Sequence, residues 1–192
     1  KGLGANVIIT EVDAIQGLKA TLEGYRVMKM DAAAKLGDIF ITATGMKDVL
    51  IERHFKTMKD GAIVCNTGHY DVEINIGDLK KLAKSVREIR ANNEEFVMAD
   101  GRRIYLLAQG RLVNLAAAEG HPSEVMDMSF ANQFLSMVHL ATNGKKLERK
   151  VYDIPEGQDE RVATIKLRTM GITIDKLTAE QEAYLEDYSA GT

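Results

Sequence analysis

Short apolar runs alternate with amphipathic stretches over the first half of the chain. A short continuous apolar run, such as residues 7–10, is typical of a strand that is covered on both faces. Strands are predicted over residues 7–10, 25–28, 39–42 and 62–65. Helices are predicted over residues 13–23, 32–36, 46–58 and 76–86. Strands and helices that alternate in this way predict βαβ units, and so an α/β fold with a doubly wound parallel sheet.

The pattern changes after residue 90, where two extended runs flank a turn signal. Residues 96–98 and 102–107 surround Asp100-Gly101, a dipeptide that favours a two-residue β-hairpin turn. The other elements predicted are a strand over residues 112–115, a helix over residues 124–142 capped by Ser123, a helix over residues 156–170, and a last helix opened by a Thr178–Gln181 capping box. The change of pattern near His121 predicts a domain boundary there.

Composition and charge narrow the classes of protein to which the chain can belong. Hydrophobic residues make up 45% and charged residues 28% of the 192 residues, as in ordinary globular proteins. A net charge of -3 without a basic block argues against a nucleic-acid partner. No apolar run approaches the ~20 residues of a membrane helix, so no membrane association is expected. Cys65 is the single cysteine and forms no internal disulfide, so a reduced, cytoplasmic protein is expected.

Polar residues follow the predicted strands, at the edge where open parallel sheets bind ligands. Glu11 follows the first of these strands. In dinucleotide-binding folds, an acidic residue in this position accepts hydrogen bonds from the adenosine ribose. The same carboxylate would repel a 2′-phosphate, so NAD is favoured over NADP as a cofactor. The alternative is an ordinary solvated acid after a strand.

The glycines at the start of the chain do not supply a phosphate-binding loop. Such a loop lies ~20 residues before the acidic residue in dinucleotide-binding folds, whereas ten residues precede Glu11 here. Gly2 and Gly4 come before a strand instead of after one, so they do not form the fingerprint. The first strand of the sheet and its Gly-rich loop are therefore predicted to be absent from this chain.

Further candidate residues lie after the third and fourth predicted strands. Gly45 and Gly68 could let the backbone approach a ligand closely, or they could simply close two turns. His69 directly follows a strand end and His121 lies at the predicted boundary. Both are candidate acid–base groups, because histidine titrates near neutral pH. The other histidines fall in predicted helices and are interpreted as structural, and no metal-ligand spacing is visible.

Five segments together carry a family signature. They are residues 7–13 (VIITEVD), 62–73 (AIVCNTGHYDVE), 110–115 (GRLVNL), 120–123 (GHPS) and 128–133 (MSFANQ). They closely resemble the corresponding segments of the adenosylhomocysteinases, in the family's order and at its spacing over nearly the whole chain. Each segment alone is weakly specific, but the set is highly specific.

The resemblance implies reversible, NAD-dependent hydrolysis of S-adenosylhomocysteine to adenosine and homocysteine. In that family the thioether breaks only after NAD transiently oxidises the ribose 3′-hydroxyl, which acidifies the neighbouring C4′ proton. Loss of this proton permits elimination of homocysteine, water then adds, and the hydride returns to the sugar. The cofactor is therefore regenerated in each turnover and need not leave.

The resemblance also assigns roles to residues of this chain. The implied cofactor-binding residues are Glu11, Gln16, Thr44, Gly45, Thr67, Gly68, His69 and Asn114. His69 and His121 are the implied catalytic and substrate-binding residues, and His69 and Tyr70 would gate the substrate channel. Many relatives have Asn in place of Gln16 and Phe in place of Tyr70.

Domain organisation and partners follow from the same resemblance. Residues 1–121 would form most of the NAD-binding domain, residues 122–170 would be helices that complete a substrate-binding domain, and residues 171–192 would be a C-terminal tail. The family's catalytic Lys and Asp lie upstream, so the chain alone is expected to be inactive without the N-terminal part of the same enzyme. A cytoplasmic homotetramer is implied. The last residues do not match the Lys/Tyr-containing tail of many relatives, which implies a shorter-tailed branch.

Two other interpretations stay open. A relative that keeps the NAD-binding fold but acts through protein contacts would be a non-catalytic binding module, although the presence of both His69 and His121 argues against it. An NAD-dependent dehydrogenase of the 2-hydroxyacid type shares the sheet architecture. Such an enzyme would release NADH to solvent, whereas the hydrolase would carry bound NAD through purification.

Overall fold

The computed structural model describes residues 2–186, and the chain divides into two compact units between Gly120 and His121. The strands are β1 (Ile8–Ile9), β2 (Arg26–Val27), β3 (Ile39–Thr42), β4 (Ala62–Asn66), β5 (Ala83–Arg90), β6 (Asn93–Met98) and β7 (Arg103–Leu107). The α-helices are α1 (Ala14–Leu22), α2 (Met30–Ala33), α3 (Glu52–Phe55), α4 (Ile76–Leu82), α5 (Val113–Ala116), α6 (Ser123–Asn143), α7 (Gln158–Thr169) and α8 (Ala179–Glu186). Residues 187–192, the end of the predicted tail, lie outside the described residues.

Two sheets are present among the described residues of the first unit. β1 and β2 form a parallel pair, and the other strands form a mixed sheet in the order β3-β4-β7-β6-β5. β3, β4 and β7 run parallel, whereas β6 is antiparallel to both of its neighbours. The predicted α/β class is therefore confirmed, with parallel pairing in the first strands and antiparallel pairing in the predicted hairpin. The register pairs Thr42 with Asn66, so the carboxyl ends of β3 and β4 lie side by side.

The core of the first unit joins the five-stranded sheet to α3 and α4. Its fully buried apolar side chains include Leu50, Phe55, Val64, Leu79, Phe96, Ile104 and Leu106. Burial of each such side chain contributes about 1.5–3 kcal/mol, so this cluster anchors the strand ends that carry the candidate site. Cys65 is also buried, and its burial raises the pKa of the thiol. In α1, by contrast, the apolar stripe formed by Ile15, Leu18 and Leu22 is exposed.

The helix predicted over residues 46–58 is wrong for most of its length. Only α3 is helical there, because the preceding residues pair with a distant segment. The amide of Asp48 donates to the carbonyl of Val72 at 3.0 Å, and the amide of Leu50 donates to that of Glu73, also at 3.0 Å. Leu50 forms a parallel bridge with Ile74. This bridge requires extended backbone, which overrides the helical spacing of the apolar residues.

The helix predicted over residues 76–86 is also too long. It ends at Leu82, and Ala83–Arg90 continues as β5, which pairs antiparallel with β6. Ala83 has φ -84° and ψ 138°, an extended conformation. The local apolar pattern is compatible with helix, but the edge of the sheet offers this segment a ladder of backbone hydrogen bonds.

Two predictions further along the chain also need correction. Residues 112–115 do not form a strand: Leu112 makes a single parallel bridge with Asn66, and α5 begins at the next residue. Ser123 does not cap α6, because it is already the first helical residue, and Pro122 takes the N-cap position without a side-chain bond. Proline suits this boundary because its φ is fixed near the observed -57°.

The second unit is built on α6, α7 and α8. Gln158 at the start of α7 is buried, and its Nε2 donates to the carbonyl oxygen and to the Oδ1 of Asn132, both at 3.1 Å. Lys166 and Asp127 form an ion pair at 3.0 Å between the same two helices. A cavity of about 350 Å³ lies between α6 and α7. No helix among residues 2–186 is both long enough and apolar enough to cross a lipid bilayer.

Candidate functional site

The loops after β3 and β4 meet at one edge of the five-stranded sheet. The amide of Thr67 donates to the carbonyl of Thr42 at 2.7 Å, and the Oγ1 of Thr67 donates to the same oxygen at 3.2 Å. The Oγ1 of Thr42 in turn donates to the Oδ1 of Asn66 at 3.0 Å. This edge therefore brings together the predicted residues that follow the two strands: Thr44, Gly45, Thr67, Gly68 and His69.

Asn66, the last residue of β4, connects two loops at this edge. Its side chain is fully buried. The Nδ2 donates to the carbonyls of Gly68 at 3.2 Å, Tyr70 at 2.9 Å and Gly110 at 3.0 Å. Its Oδ1 accepts from the amide of Gly68 at 2.7 Å. One side chain thus sets the position of residues 68–70 against the turn at Gly110.

Glu73 is a second buried polar residue behind the same loops. Its carboxylate is completely buried and accepts from the amide of Thr44 at 2.9 Å and from the amide of Gly45 at 2.7 Å. The hydroxyl of Thr44 also donates to Glu73 Oε2 at 2.9 Å. The loop after β3 is therefore fastened to the segment that follows the loop after β4.

The two glycines of this edge are needed for different reasons. Gly45 has φ +70°, a conformation that residues with a side chain rarely adopt. At Gly68 the reason is space, because a Cβ atom there would lie 1.6 Å from Glu73 Oε1. The close approach of Gly68 is thus made to a buried carboxylate of the protein itself.

His69 and Tyr70 stand at the exposed end of this arrangement. Both side chains are exposed, and their rings meet edge to face with centroids 4.4 Å apart. An exposed imidazole beside a strand end is free to exchange a proton with a bound molecule. The pair therefore supplies an acid–base group and an aromatic surface at the mouth of the site.

A backbone bridge places Asn114 near the same edge of the sheet. Leu112 pairs with Asn66, and α5 then carries Asn114 in its first turn. The Oδ1 of Asn114 is buried and accepts no hydrogen bond among the described residues. An amide oxygen left in this state is costly unless a ligand or a water molecule donates to it. The orphaned oxygen therefore fits a bound group that carries an N–H or O–H donor.

Glu11 and Gln16 lie in a separate part of the first unit. Glu11 follows β1 and is exposed, and its Oε1 accepts from the amides of Val12 at 2.7 Å and Asp13 at 3.1 Å. Gln16 lies in the first turn of α1, which Asp13 caps. β1 shares no strand pairing with the five-stranded sheet among the described residues. The structure places Glu11 at a strand tip, as predicted, and does not join it to the edge around Asn66.

His121 belongs to the second compact unit, at its first residue. Its side chain is exposed. The candidate residues of the first unit and His121 are thus carried by different bodies.

Sequence reasoning assigned no role to Asn66 or Glu73. Glu73 lies between Val72 and Ile74, and strict alternation would expose an acidic residue flanked by apolar ones. The structure reverses this, because Val72 is exposed while Glu73 and Ile74 are buried. A glycine a few residues before an acidic residue is a common pattern, so the sequence did not reveal the contact between Gly68 and Glu73.

Within residues 2–186, no three His, Cys, Asp or Glu side chains converge closely enough to hold a metal ion. The buried histidine of the first unit, His54, is instead part of the local structure of α3, where its Nδ1 accepts from the amide of Ile51 at 3.2 Å. Burial lowers the pKa of His54.

Comparison with known proteins places these features in a family. Residues 1–120 match a family model described as S-adenosyl-L-homocysteine hydrolase, NAD binding domain. An adenosylhomocysteinase of Archaeoglobus fulgidus is 56% identical over 192 residues, which is 100% of this chain and 47% of that protein. An adenosylhomocysteinase of Aquifex aeolicus is 56% identical over 192 residues, again all of this chain and 46% of that protein.

A relative with a different name is equally similar. The S-inosyl-L-homocysteine hydrolase of Methanococcus maripaludis is 56% identical over 191 residues, covering 100% of this chain and 46% of that protein. The chain therefore spans about half the length of the curated relatives it matches. A family model matches more than half of the chain, and relatives of this identity cover all of it, so the chain belongs to the adenosylhomocysteinase family, with residues 1–120 matching the family's NAD-binding domain.

Proposed function

We propose that this chain is part of an enzyme that reversibly hydrolyses S-adenosylhomocysteine to adenosine and homocysteine with tightly bound NAD. The observation that carries the proposal is the set of hydrogen bonds made by the side chain of Asn66. It holds the loop of the exposed His69 against the turn that leads to Asn114, whose buried Oδ1 accepts no hydrogen bond among the described residues. A proton-transfer group and an unfilled acceptor thus stand on one sheet edge, as a cofactor beside a substrate requires.

The residues present fit NAD. When bound, NAD supplies reversible hydride transfer at the substrate ribose. Glu11 would accept from the adenosine ribose hydroxyls, and Gln16 would contact the same end. Thr44, Gly45, Thr67 and Gly68 would line the cofactor, while His69 and Asn114 would lie at its nicotinamide end. The free Oδ1 of Asn114 suits the amide protons of a carboxamide.

His69 and His121 are the proposed catalytic and substrate-binding residues. The exposed imidazole of His69 can move a proton at a substrate hydroxyl or at the attacking water. Tyr70 packs against the His69 ring and would form the gate of the substrate channel with it. His121 would bind the adenosine of the substrate from the second unit.

S-inosylhomocysteine is a second candidate substrate. It is favoured by the relative of that name, which is as similar to this chain as the adenosylhomocysteinases are. The two substrates differ in the purine base, so the residues proposed for hydride and proton transfer serve both.

The wider organisation belongs to the same proposal. Residues 1–121 would form most of the NAD-binding domain, residues 122–170 would complete the substrate-binding domain, and residues 171–192 would be a tail. The chain would act with the N-terminal part of the enzyme, in a cytoplasmic homotetramer, and would be inactive alone. Light scattering of the purified enzyme, which measures the mass in solution, tests the tetramer.

Replacement of His69 tests the proposed mechanism. In the full-length enzyme, His69→Ala should lower the turnover of S-adenosylhomocysteine by about 10²-fold or more, because general acid–base catalysis contributes that much. The NAD content of the purified protein should stay near native, since other residues hold the cofactor. Turnover of S-inosylhomocysteine, measured in parallel, decides between the two substrates.

The matched control is His139→Gln. His139 lies on α6, where its Nδ1 is 3.5 Å from Asn143 Nδ2, and it has no proposed role in the reaction. Native turnover is expected for this control. Near-native turnover of His69→Ala would remove His69 from the mechanism.

A further inference from the structure

The carboxylate of Glu73 is buried without any cation among its described partners. Its oxygens accept from the backbone amides of Thr44 and Gly45 and from the hydroxyl of Thr44. Burial of a charge is costly unless hydrogen bonds replace its hydration. The neutral donors of one loop therefore compensate the buried carboxylate of Glu73, as a cation does in a buried salt bridge.

The donors come from one loop and the steric contact comes from another. The loop after β3 supplies the amides of Thr44 and Gly45, which point at the carboxylate. The loop after β4 passes directly over it, because the hydrogen in the place of a Gly68 side chain faces Glu73 Oε1. The backbone amide of Leu50 also donates to the carbonyl of Glu73, so the residue is held at its main chain as well.

This position distinguishes Glu73 from Glu95, the other buried acid among the described residues of the first unit. Glu95 is 5% exposed, and it accepts from Arg87 Nε at 2.7 Å and from the Tyr105 hydroxyl at 3.3 Å. These partners lie on β5 and β7, away from the loops after β3 and β4. Glu95 thus ties strands together, whereas Glu73 fixes loops that carry candidate binding residues.

We propose that Glu73 is a positioning residue for NAD: its buried carboxylate sets the distance between the Thr44–Gly45 loop and the Thr67–His69 loop, and so the shape of the cofactor site. This inference rests on the proposed cofactor contacts of the two loops. Glu73 does not touch the cofactor. It acts by orienting two amides and by occupying the space under Gly68.

Glu73→Gln tests the proposal with almost no change of volume. The amide NH₂ of the new side chain would face an N–H of Thr44 or Gly45, so donor would meet donor and the loop would shift. The rate at which NAD leaves the purified holoenzyme should rise roughly ten- to hundred-fold, the range expected when a buried hydrogen-bond partner is lost. The readout is bound NAD after gel filtration at set times, which does not depend on activity.

Glu95→Gln is the matched control. It also replaces a buried acid of the first unit by its amide, so it should lower the thermal unfolding midpoint about as much as Glu73→Gln. Its NAD release should stay native. If both variants release NAD at rates that merely follow their unfolding midpoints, Glu73 has a structural role only and the proposal is wrong.

A double-mutant cycle gives an independent test. Gly68→Ala places a methyl group where the carboxylate lies, so it should also speed NAD release. In a Glu73→Ala background the closest contact is removed and the nearest remaining atom is Asn66 Oδ1 at 3.0 Å, so Gly68→Ala should then have a much smaller further effect. An undiminished effect in that background would show that Gly68 acts on the cofactor without Glu73, which overturns the proposed coupling.

These outcomes are separable from failure of the proposed function. If the native enzyme carries no NAD, the proposed function fails first. If the native enzyme and Glu73→Gln both retain NAD equally, the proposed function stands and the role of Glu73 is refuted.

Discussion

Charged side chains of the first unit act differently according to their burial. Glu73 is buried and accepts hydrogen bonds from backbone amides, so it determines the shape of the proposed cofactor site. Asp60 lies at the surface before β4, where its carboxylate accepts from the backbone amide of Arg103 at 2.8 Å and from the guanidinium Nη2 at 2.8 Å. The side-chain hydrogen bond from Arg103 is the main reason that the pKa of Asp60 falls from 3.8 to about 2.

The lowered pKa of Asp60 predicts a pH-dependent contribution to stability. The native state binds the Asp60 proton less readily than the unfolded chain, so the contribution is complete above the unfolded pKa of 3.8 and is lost as the pH falls through about 2. Asp60→Asn should therefore be less stable than the native protein near neutral pH. The difference should shrink progressively as the pH is lowered below about 4 in urea unfolding experiments.

Asp38→Asn is the control for this prediction. The exposed carboxylate of Asp38 pairs with Lys59 at 2.7 Å, and single exposed ion pairs contribute little. A constant difference between native protein and Asp60→Asn down to pH 2 would contradict the linkage.

Residues of the candidate site divide into those that a local pattern reveals and those that it does not. Glu11, Gly45, Gly68 and His69 follow strands, and strand ends can be read from apolar runs. The role of Asn66 cannot, because it depends on Gly110, which lies 44 positions further along the chain. The hydrogen-bond partners of a buried polar side chain come from segments that only the tertiary fold brings close together.

Elements are predicted well where their signal is local. α1 begins one residue after its predicted start, and Asp13 caps it, because the Asp13 Oδ1 accepts from the amides of Ile15 and Gln16. The capping box of α8 is present, since Gln181 donates to the Thr178 hydroxyl and the Gln181 side chain accepts from the Thr178 amide. The prediction of an element fails where pairing with another segment decides its conformation: residues 48–50 pair with residues 72–74, and residues 83–86 pair with β6.

The hairpin between β6 and β7 is confirmed, but its turn differs from the two-residue type. The amide of Gly101 donates to the carbonyl of Met98 at 3.0 Å, and the amide of Met98 donates to the carbonyl of Arg102 at 2.8 Å. Gly101 has φ +91°. This is a three-residue connection with glycine in the positive-φ position of a bulge.

Gly101→Ala should destabilise the first unit by about 1–2 kcal/mol, because the left-handed region disfavours a Cβ atom. No heavy atom lies within 4 Å of the added carbon, so the backbone conformation alone causes the loss. Urea unfolding of the purified protein measures it.

Gly17→Ala is the matched control in α1, where the added carbon also meets open space. It should stabilise by up to ~1 kcal/mol, since alanine is the better helix former. Equal effects of the two substitutions would contradict the assignment of strain to Gly101.

At the scale of the whole molecule, the boundary between the two units coincides with the end of the family match. The family model covers residues 1–120, and the first compact unit ends at the same residue. The fold class could be predicted from strand–helix alternation, and the cofactor from the family resemblance together with a carboxylate at a strand tip. The separation of β1 and β2 from the five-stranded sheet could not, because the sequence pattern of a strand does not state its neighbours.

The central claim is that NAD stays bound and works inside the enzyme. Denaturation of the purified native protein should release about one NAD per polypeptide, and addition of adenosine before denaturation should convert part of it to NADH that remains with the protein on filtration. Absence of NAD, or NADH that passes into the filtrate, would contradict the account.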